Sequence, residues 1–228
     1  ELLAQYPDPI PGTHRLALCD ANVTLDLWFG DVAWATTQWA EQDLTVDAWY
    51  LDGFAPNKNS LMWSAQVLDN VAHCSPPEST ASTFSVAGNV KTPLRDRGFD
   101  IQKKPGFGRK REQLFAVKRC SSRNFKITST PWHKSASATL KPKHVAVIGA
   151  GLAGSFAAHS LAKRGIKVSV IDAEGIATQA SGNPQGVVYC RIPKRHAPLG
   201  DFGVLAFRYA TQLYQQMLDH NVLRAGVD

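Results

Sequence analysis

Residues 145–154 read VAVIGAGLAG, a β-branched run from Val145 to Ile148 followed by glycines at 149, 151 and 154. The spacing is G-x-G-x-x-G in its full setting: a strand before it, a helix after it to Arg164, and a second strand from Lys167 to Ile171 that ends in Asp172. Each residue type answers a physical need. Gly149 makes the tight turn out of the strand, Gly151 lets backbone amides approach a pyrophosphate at the helix N-terminus, and Gly154 lets helix and strand pack closely. Asp172 is placed to bond a ribose 2′-hydroxyl, and its charge would repel a 2′-phosphate. The bland alternative is a glycine-rich turn without a ligand; the strand–helix–strand frame favours a dinucleotide site.

The residues that follow choose between NAD and FAD. Ala177 to Tyr189, ATQASGNPQGVVY, resembles the stretch after the second strand in flavoprotein amine oxidases of the D-amino-acid oxidase type. There an ASGN-like turn, here Ser181, Gly182 and Asn183, reaches the flavin region. On its own this is a polar loop; behind the fingerprint it points to FAD.

Working outward, the 228-residue chain can bury a sizeable core without disulfides or metals. Its four cysteines, Cys19, Cys74, Cys120 and Cys190, are far apart and show no metal-ligand spacing, which suits a reducing cytoplasm and no bound metal. The first 30 residues lack the pattern of a secretory signal. The apolar stretch Val145 to Leu161 is broken by glycines and polar residues, so a buried strand and helix are expected rather than a membrane span, and the protein is expected to be soluble. Charge is uneven. Residues 1–100 hold 5 Lys/Arg against 13 Asp/Glu, a net of −8; residues 103–143 hold 12 against 1, a net of +11; residues 144–228 hold 8 against 5, a net of +3. A basic segment between such blocks is either a solvated linker or a polyanion contact, nucleic acid above all.

Upstream of the linker, Val23 to Phe29 (VTLDLWF) alternates as a strand and runs into Gly30-Asp31, and Val46 to Leu51 is a second strand ending at Asp52. A loop, GFAPNKNS, leads to a helix over Leu61 to His73 with Leu61, Ala65, Leu68 and Ala72 on one face. Ser79 to Val86 reads as a third strand, Val90 to Arg97 as a short helix, and Phe99 to Lys103 with Gln113 to Lys118 as a hairpin around GFGRKRE.

That order resembles the C-terminal half of a class I S-adenosylmethionine-dependent methyltransferase, whose sheet ends in an antiparallel hairpin. The resemblance implies that Asp31, in a Gly-Asp pair after a strand, contacts the adenine of the methyl donor, and that Asp52 in DGFAP occupies the catalytic Asp/Asn-Pro-Pro-type loop. Either aspartate taken singly is as readily a turn or helix cap. The family's glycine-rich loop has no counterpart before residue 106, so the chain is expected to begin inside that domain.

The expected fold is therefore α/β: the C-terminal part of a Rossmann-like class I methyltransferase sheet over residues 1–118, a basic linker over 119–143, and the start of a Rossmann-type FAD-binding domain over 144–228. DGFAP-x-KN-x-x-MW, GFGRKRE and an ASGN-type FAD segment in one chain resemble a family of bifunctional tRNA-modification proteins. The chain departs from that family's motif at Asn59-Ser60, where Asn-Pro is usual. The resemblance implies FAD-dependent oxidative removal of the carboxymethyl group of 5-carboxymethylaminomethyl-(2-thio)uridine at the tRNA wobble position, then N-methylation of the freed amine from S-adenosylmethionine. Lys103, Lys104, Phe107, Arg109, Lys110 and Arg111 would contact the anticodon stem-loop: arginine forks bond phosphate oxygens and Phe107 stacks on an unpaired base. Two other readings stay open. One is the same fusion acting on a small-molecule amine; the other is a noncatalytic RNA-binding fragment.

Overall fold

The structure, a computed structural model, describes residues 2–19, 22–108, 110–120, 142–192, 194 and 198–219. In chain order its elements are α1 (Leu2–Gln5), β1 (Gly12–Leu18), β2 (Val23–Phe29), α2 (Val32–Glu41), β3 (Ala48–Tyr50), a 3₁₀ turn (Leu61–Trp63), α3 (Ala65–Cys74), β4 (Thr80–Thr83), α4 (Gly88–Asp96), β5 (Phe99–Pro105), β6 (Glu112–Lys118), β7 (His144–Ile148), α5 (Leu152–Lys163), β8 (Lys167–Ile171) and α6 (Pro198–Asp219). They fall into two compact units, Gly30–Ser137 and Glu1–Phe29 with Ala138–Asp228.

The first unit is a four-stranded sheet in the order β3-β4-β6-β5. β3 and β4 are parallel, while β6 lies between β4 and β5 antiparallel to both. α3 and α4 supply the apolar face that covers it: Val67, Leu68, Val71, Ala72, Val90 and Leu94 pack with Trp49, Ala81, Phe99, Leu114 and Ala116 in one buried cluster. The buried Ser75 hydroxyl accepts the Trp49 indole N–H at 2.9 Å and donates to the Val71 carbonyl at 2.6 Å, so the tryptophan's polar edge is satisfied inside the core. Lys118 ends β6 fully buried; its Nζ donates to the Arg97 carbonyl and lies 4.9 Å from the Phe99 ring centroid, and burial pulls its pKa down.

Several boundaries differ from the sequence reading. The segment expected as one helix from Leu61 breaks at Ser64, whose extended backbone and side-chain bond to the Val67 N–H cap α3. Its buried face is therefore Val67, Leu68, Val71 and Ala72, while Leu61 stays 69% exposed. β3 and β4 are shorter than expected, β5 and β6 slightly longer.

In the second unit β2 forms over the expected residues, but it pairs antiparallel with β1 as a separate two-stranded sheet, and Arg15 lies opposite Asp26 in a two-pronged ion pair at 2.7 and 2.6 Å. α6 lies against β1, with Leu205 filling the space a side chain at Gly12 would need and Arg208 paired to Asp8. β7 and β8 are parallel and joined by α5, as the fingerprint required. The expectation that Val145–Leu161 is buried is corrected: two strands and one helix cover only one face, so Ile148 is 79% exposed and α5 has no buried residue. Most of the basic segment 119–143 lies outside the described residues. Among the described residues no helix is long and apolar enough to cross a membrane and no metal-binding group of side chains occurs.

Candidate functional site

The glycine-rich loop is built as its spacing demands. Gly149 turns out of β7 at φ +100°, a left-handed conformation that a side chain resists. A Cβ on Gly154 would overlap the Gly149 carbonyl oxygen and sit 3.4 Å from Val147 Cγ1, so α5 can cross β7 this closely only with glycine there. A Cβ on Gly151 would lie 2.9 Å from Ser181 Oγ. That contact was not legible in the spacing. It brings the ASGN turn onto the fingerprint loop, where Ser181 Oγ accepts the Leu152 N–H at 3.1 Å and the Ala177 N–H donates to the Ala150 carbonyl at 3.1 Å.

Asp172 faces the same loop. One carboxylate oxygen accepts the Ala150 N–H at 2.7 Å, and the other accepts the Glu174 and Gly175 N–H groups at 2.9 and 3.1 Å. These amides, Ala150 foremost, hold the carboxyl below its usual pKa, so it is anionic at neutral pH. The folded value is the lower one, so the stabilisation is present above the ordinary carboxyl range and is lost as pH falls through the lowered pKa. Gly149, Gly151, Gly154, Asp172 and Ser181 thus meet at one helix N-terminus. Gly182 and Asn183 follow in the same turn; a Cβ on Gly182 would overlap the Ala177 carbonyl oxygen, and Asn183 donates to the Ala180 carbonyl at 3.4 Å. The set fits a dinucleotide diphosphate: a glycine loop with nothing within 4 Å of a Cβ at Gly149, a helix dipole, and a Ser181 hydroxyl that accepts from Leu152 while keeping its own proton to donate.

In the first unit, Asp52 follows β3 and its carboxylate is exposed. Asp31 heads α2 as its N-cap, one oxygen accepting the Ala33 and Trp34 N–H groups at 2.8 and 3.2 Å. That cap leaves the second oxygen available to a ligand. Because β6 runs antiparallel to β4, the β5–β6 turn lies at the edge where β3 and β4 end, the edge that carries Asp52. The turn is tight: the Gly106 N–H donates to the Arg111 carbonyl at 3.1 Å, and a Cβ on Gly106 would overlap the Lys110 carbonyl. Phe107 at its tip is 87% exposed, and Lys110 and Arg111 are exposed. Lys103 is partly neutralised by Glu112 at 2.7 Å, and Lys104 lies 3.6 Å from the Phe115 ring centroid. Arg109 lies outside the described residues.

Residues 1–119 match the family described as S-adenosyl-L-methionine-dependent methyltransferase, and residues 144–226 match FAD dependent oxidoreductase. These descriptions carry the two cofactors that the motifs imply. Two curated proteins of Leptospira interrogans serogroup Icterohaemorrhagiae, from serovar copenhageni (strain Fiocruz L1-130) and serovar Lai (strain 56601), are 40% identical over 221 residues, 97% of this chain and 34% of theirs. Each is named tRNA 5-methylaminomethyl-2-thiouridine biosynthesis bifunctional protein MnmC. The chain therefore spans about a third of the length of these relatives. The crystal structure of M1.HpyAVI superposes with a TM-score of 0.31 at 15% identity, over 64% of this chain and 90% of that one, a likeness too loose to bear on the fold.

The glycine geometry yields a direct test. In the full-length protein, Gly154→Ala forces α5 away from β7, costs about 1–3 kcal/mol of stability by overpacking, and gives protein that purifies without visible flavin absorbance. Gly203→Ala, in α6 with nothing within 4 Å of the added carbon, serves as the control and keeps the flavin. A yellow Gly154→Ala protein of wild-type stability would contradict the close crossing.

Proposed function

The chain belongs to the S-adenosyl-L-methionine-dependent methyltransferase family, and from that premise we propose that its protein carries out two consecutive reactions on the wobble uridine of tRNA. The first oxidises the carboxymethylamino side chain of 5-carboxymethylaminomethyl-(2-thio)uridine to an imine, and water then hydrolyses the imine, freeing the primary amine and releasing the two carboxymethyl carbons as an aldehyde acid. The second methylates the resulting primary amine. The observation that supports this reading is the convergence at one sheet edge of the Asp52 loop and the basic, aromatic-tipped 106–111 turn, in a chain that also carries a glycine-loop dinucleotide site. The names of the relatives agree with tRNA as substrate, and a cytoplasmic location goes with that reading.

FAD, when bound, supplies the acceptor for the hydride that leaves the carbon next to nitrogen. The chain's part there is to bind and orient: the α5 N-terminus and the Ser181 hydroxyl would hold the diphosphate, while Asp172 fixes the Ala150 turn. For methyl transfer the amine must be neutral and in line with the methyl carbon. Its nitrogen forms a bond to that carbon as the carbon–sulfur bond breaks, and the Asp52 carboxylate accepts the proton the nitrogen then loses. Asp31, through the carboxylate oxygen not used in capping α2, is the adenine contact.

Nucleoside analysis tests the sequence of reactions. tRNA carrying the carboxymethylaminomethyl group, treated with the full-length flavoprotein, should yield the aminomethyl nucleoside, and the methylaminomethyl nucleoside only after S-adenosylmethionine is added. Conversion of free small amines with no change in tRNA would favour the small-molecule reading.

The turn makes a separate prediction. If Lys110 and Arg111 touch phosphates, log affinity for tRNA falls with log salt by roughly 0.7 to 0.9 for each contact. Lys110→Ala with Arg111→Ala should therefore weaken tRNA binding and reduce the salt slope by about one to two. An unchanged slope would make these cations ordinary solvated charges.

A further inference from the structure

We propose that Trp63 is a positioning residue for methyl transfer, holding the Asp52 loop in its working shape through the Phe54 carbonyl; the inference rests on the methyltransferase reading above. The loop from Asp52 to Ser60 leaves the sheet edge and returns to the 3₁₀ turn. A nine-residue excursion of this kind is ordinarily mobile. Here it is tied at both ends and in its middle.

Before Asp52, the Leu51 N–H donates to the Ser82 carbonyl at 2.9 Å, so the strand pairing extends to the residue next to the carboxylate. Directly after it, Met62 lies over Gly53: a Cβ there would be 3.0 Å from Met62 Cε and 3.2 Å from Sδ. One residue further, the Trp63 indole Nε1–H donates to the Phe54 carbonyl at 2.8 Å. The Trp63 ring itself packs against the buried cluster of the sheet and α3, and its backbone N–H donates to the Ser60 carbonyl at 3.1 Å. The far side of the loop is closed by Lys58 and Asn59 N–H groups on the Ala55 carbonyl at 2.7 and 3.2 Å.

The outcome is a backbone anchored to the core on both sides of Asp52, while the Asp52 side chain is exposed and the Phe54 ring is 72% exposed. An indole has one donor and no acceptor. This one reaches nine residues back to a carbonyl that β3–β4 pairing does not use. A carboxylate that must meet an amine in line with a methyl group gains from such tethering, because a misplacement of about 1 Å can cost 10²-fold in rate.

Trp63→Phe keeps an aromatic ring against the buried cluster and deletes the donor together with part of the indole's volume. In the full-length protein we expect amide exchange over residues 52–60 to quicken by about tenfold, the worth of one hydrogen bond, with the β4 amides unchanged. The kcat of methyl transfer should fall by roughly 10- to 100-fold, with KM for tRNA, KM for S-adenosylmethionine and the oxidative step at their wild-type values. Unchanged exchange in the loop overturns the tether. Faster loop exchange with a wild-type methylation kcat overturns the positioning role. A fall in kcat accompanied by raised KM and faster exchange in β4 would mean general loosening, and also overturns it. If the wild-type protein methylates no tRNA, the functional reading fails, while the exchange comparison still decides whether Trp63 holds the loop.

Discussion

Because β6 enters the sheet between β4 and β5 and runs against both, its first residues start at the edge where β3 and β4 end. Thr83 faces Leu114 and Pro105 faces Glu112, a register that fixes the β5–β6 turn beside the loops that leave the parallel strands. One residue of slip would turn Leu114 and Ala116, both fully buried, out to solvent. The register is thus set by core burial, and the placement of Phe107, Lys110 and Arg111 near Asp52 follows from it. A basic turn in this position is a consequence of packing before it is a feature of recognition.

The dinucleotide site obeys a similar constraint on a smaller scale. Gly154 is needed because the Gly149 carbonyl occupies the place of a side chain, and at Gly151 a side chain would press on the Ser181 hydroxyl. The ASGN turn, whose Ser181 lies 29 residues beyond Leu152 in the chain, is therefore part of the loop's own packing. Asp172 adds an anionic brace on the Ala150 amide. At the α5 N-terminus Ser181 and Asp172 therefore hold the Leu152 and Ala150 amides, beside the helix dipole that favours an anion.

Much of this was legible in the sequence, and the gaps have physical causes. The fingerprint, β8 and β2 stand where alternation and spacing put them, since period-two patterns and glycine spacings report directly on backbone geometry. β1 was hidden because its inward positions include Gly12 and His14, which blur the apolar alternation that Leu16 and Leu18 begin. α2 was hidden because it buries Thr36, whose hydroxyl satisfies itself on the Val32 carbonyl and so counts as polar in any pattern. Asp31 caps α2, the local reading that stood beside its ligand role in the sequence, since an Asp after a strand is a common helix cap. The contacts of Ser181 with Leu152 and of Trp63 with Phe54 join residues whose partnership no periodicity encodes. They exist only once strands and helices have packed.

Proton acceptance during methyl transfer by the exposed carboxylate that follows β3 is tested most directly by comparing Asp52→Asn with the wild-type full-length protein by the nucleosides each leaves in tRNA. A positioned acceptor contributes about 10²- to 10⁴-fold, so the variant should complete the oxidative step and accumulate the aminomethyl nucleoside unmethylated. Methylaminomethyl nucleoside formed at the wild-type rate would contradict the account and reduce Asp52 to a residue at a strand end.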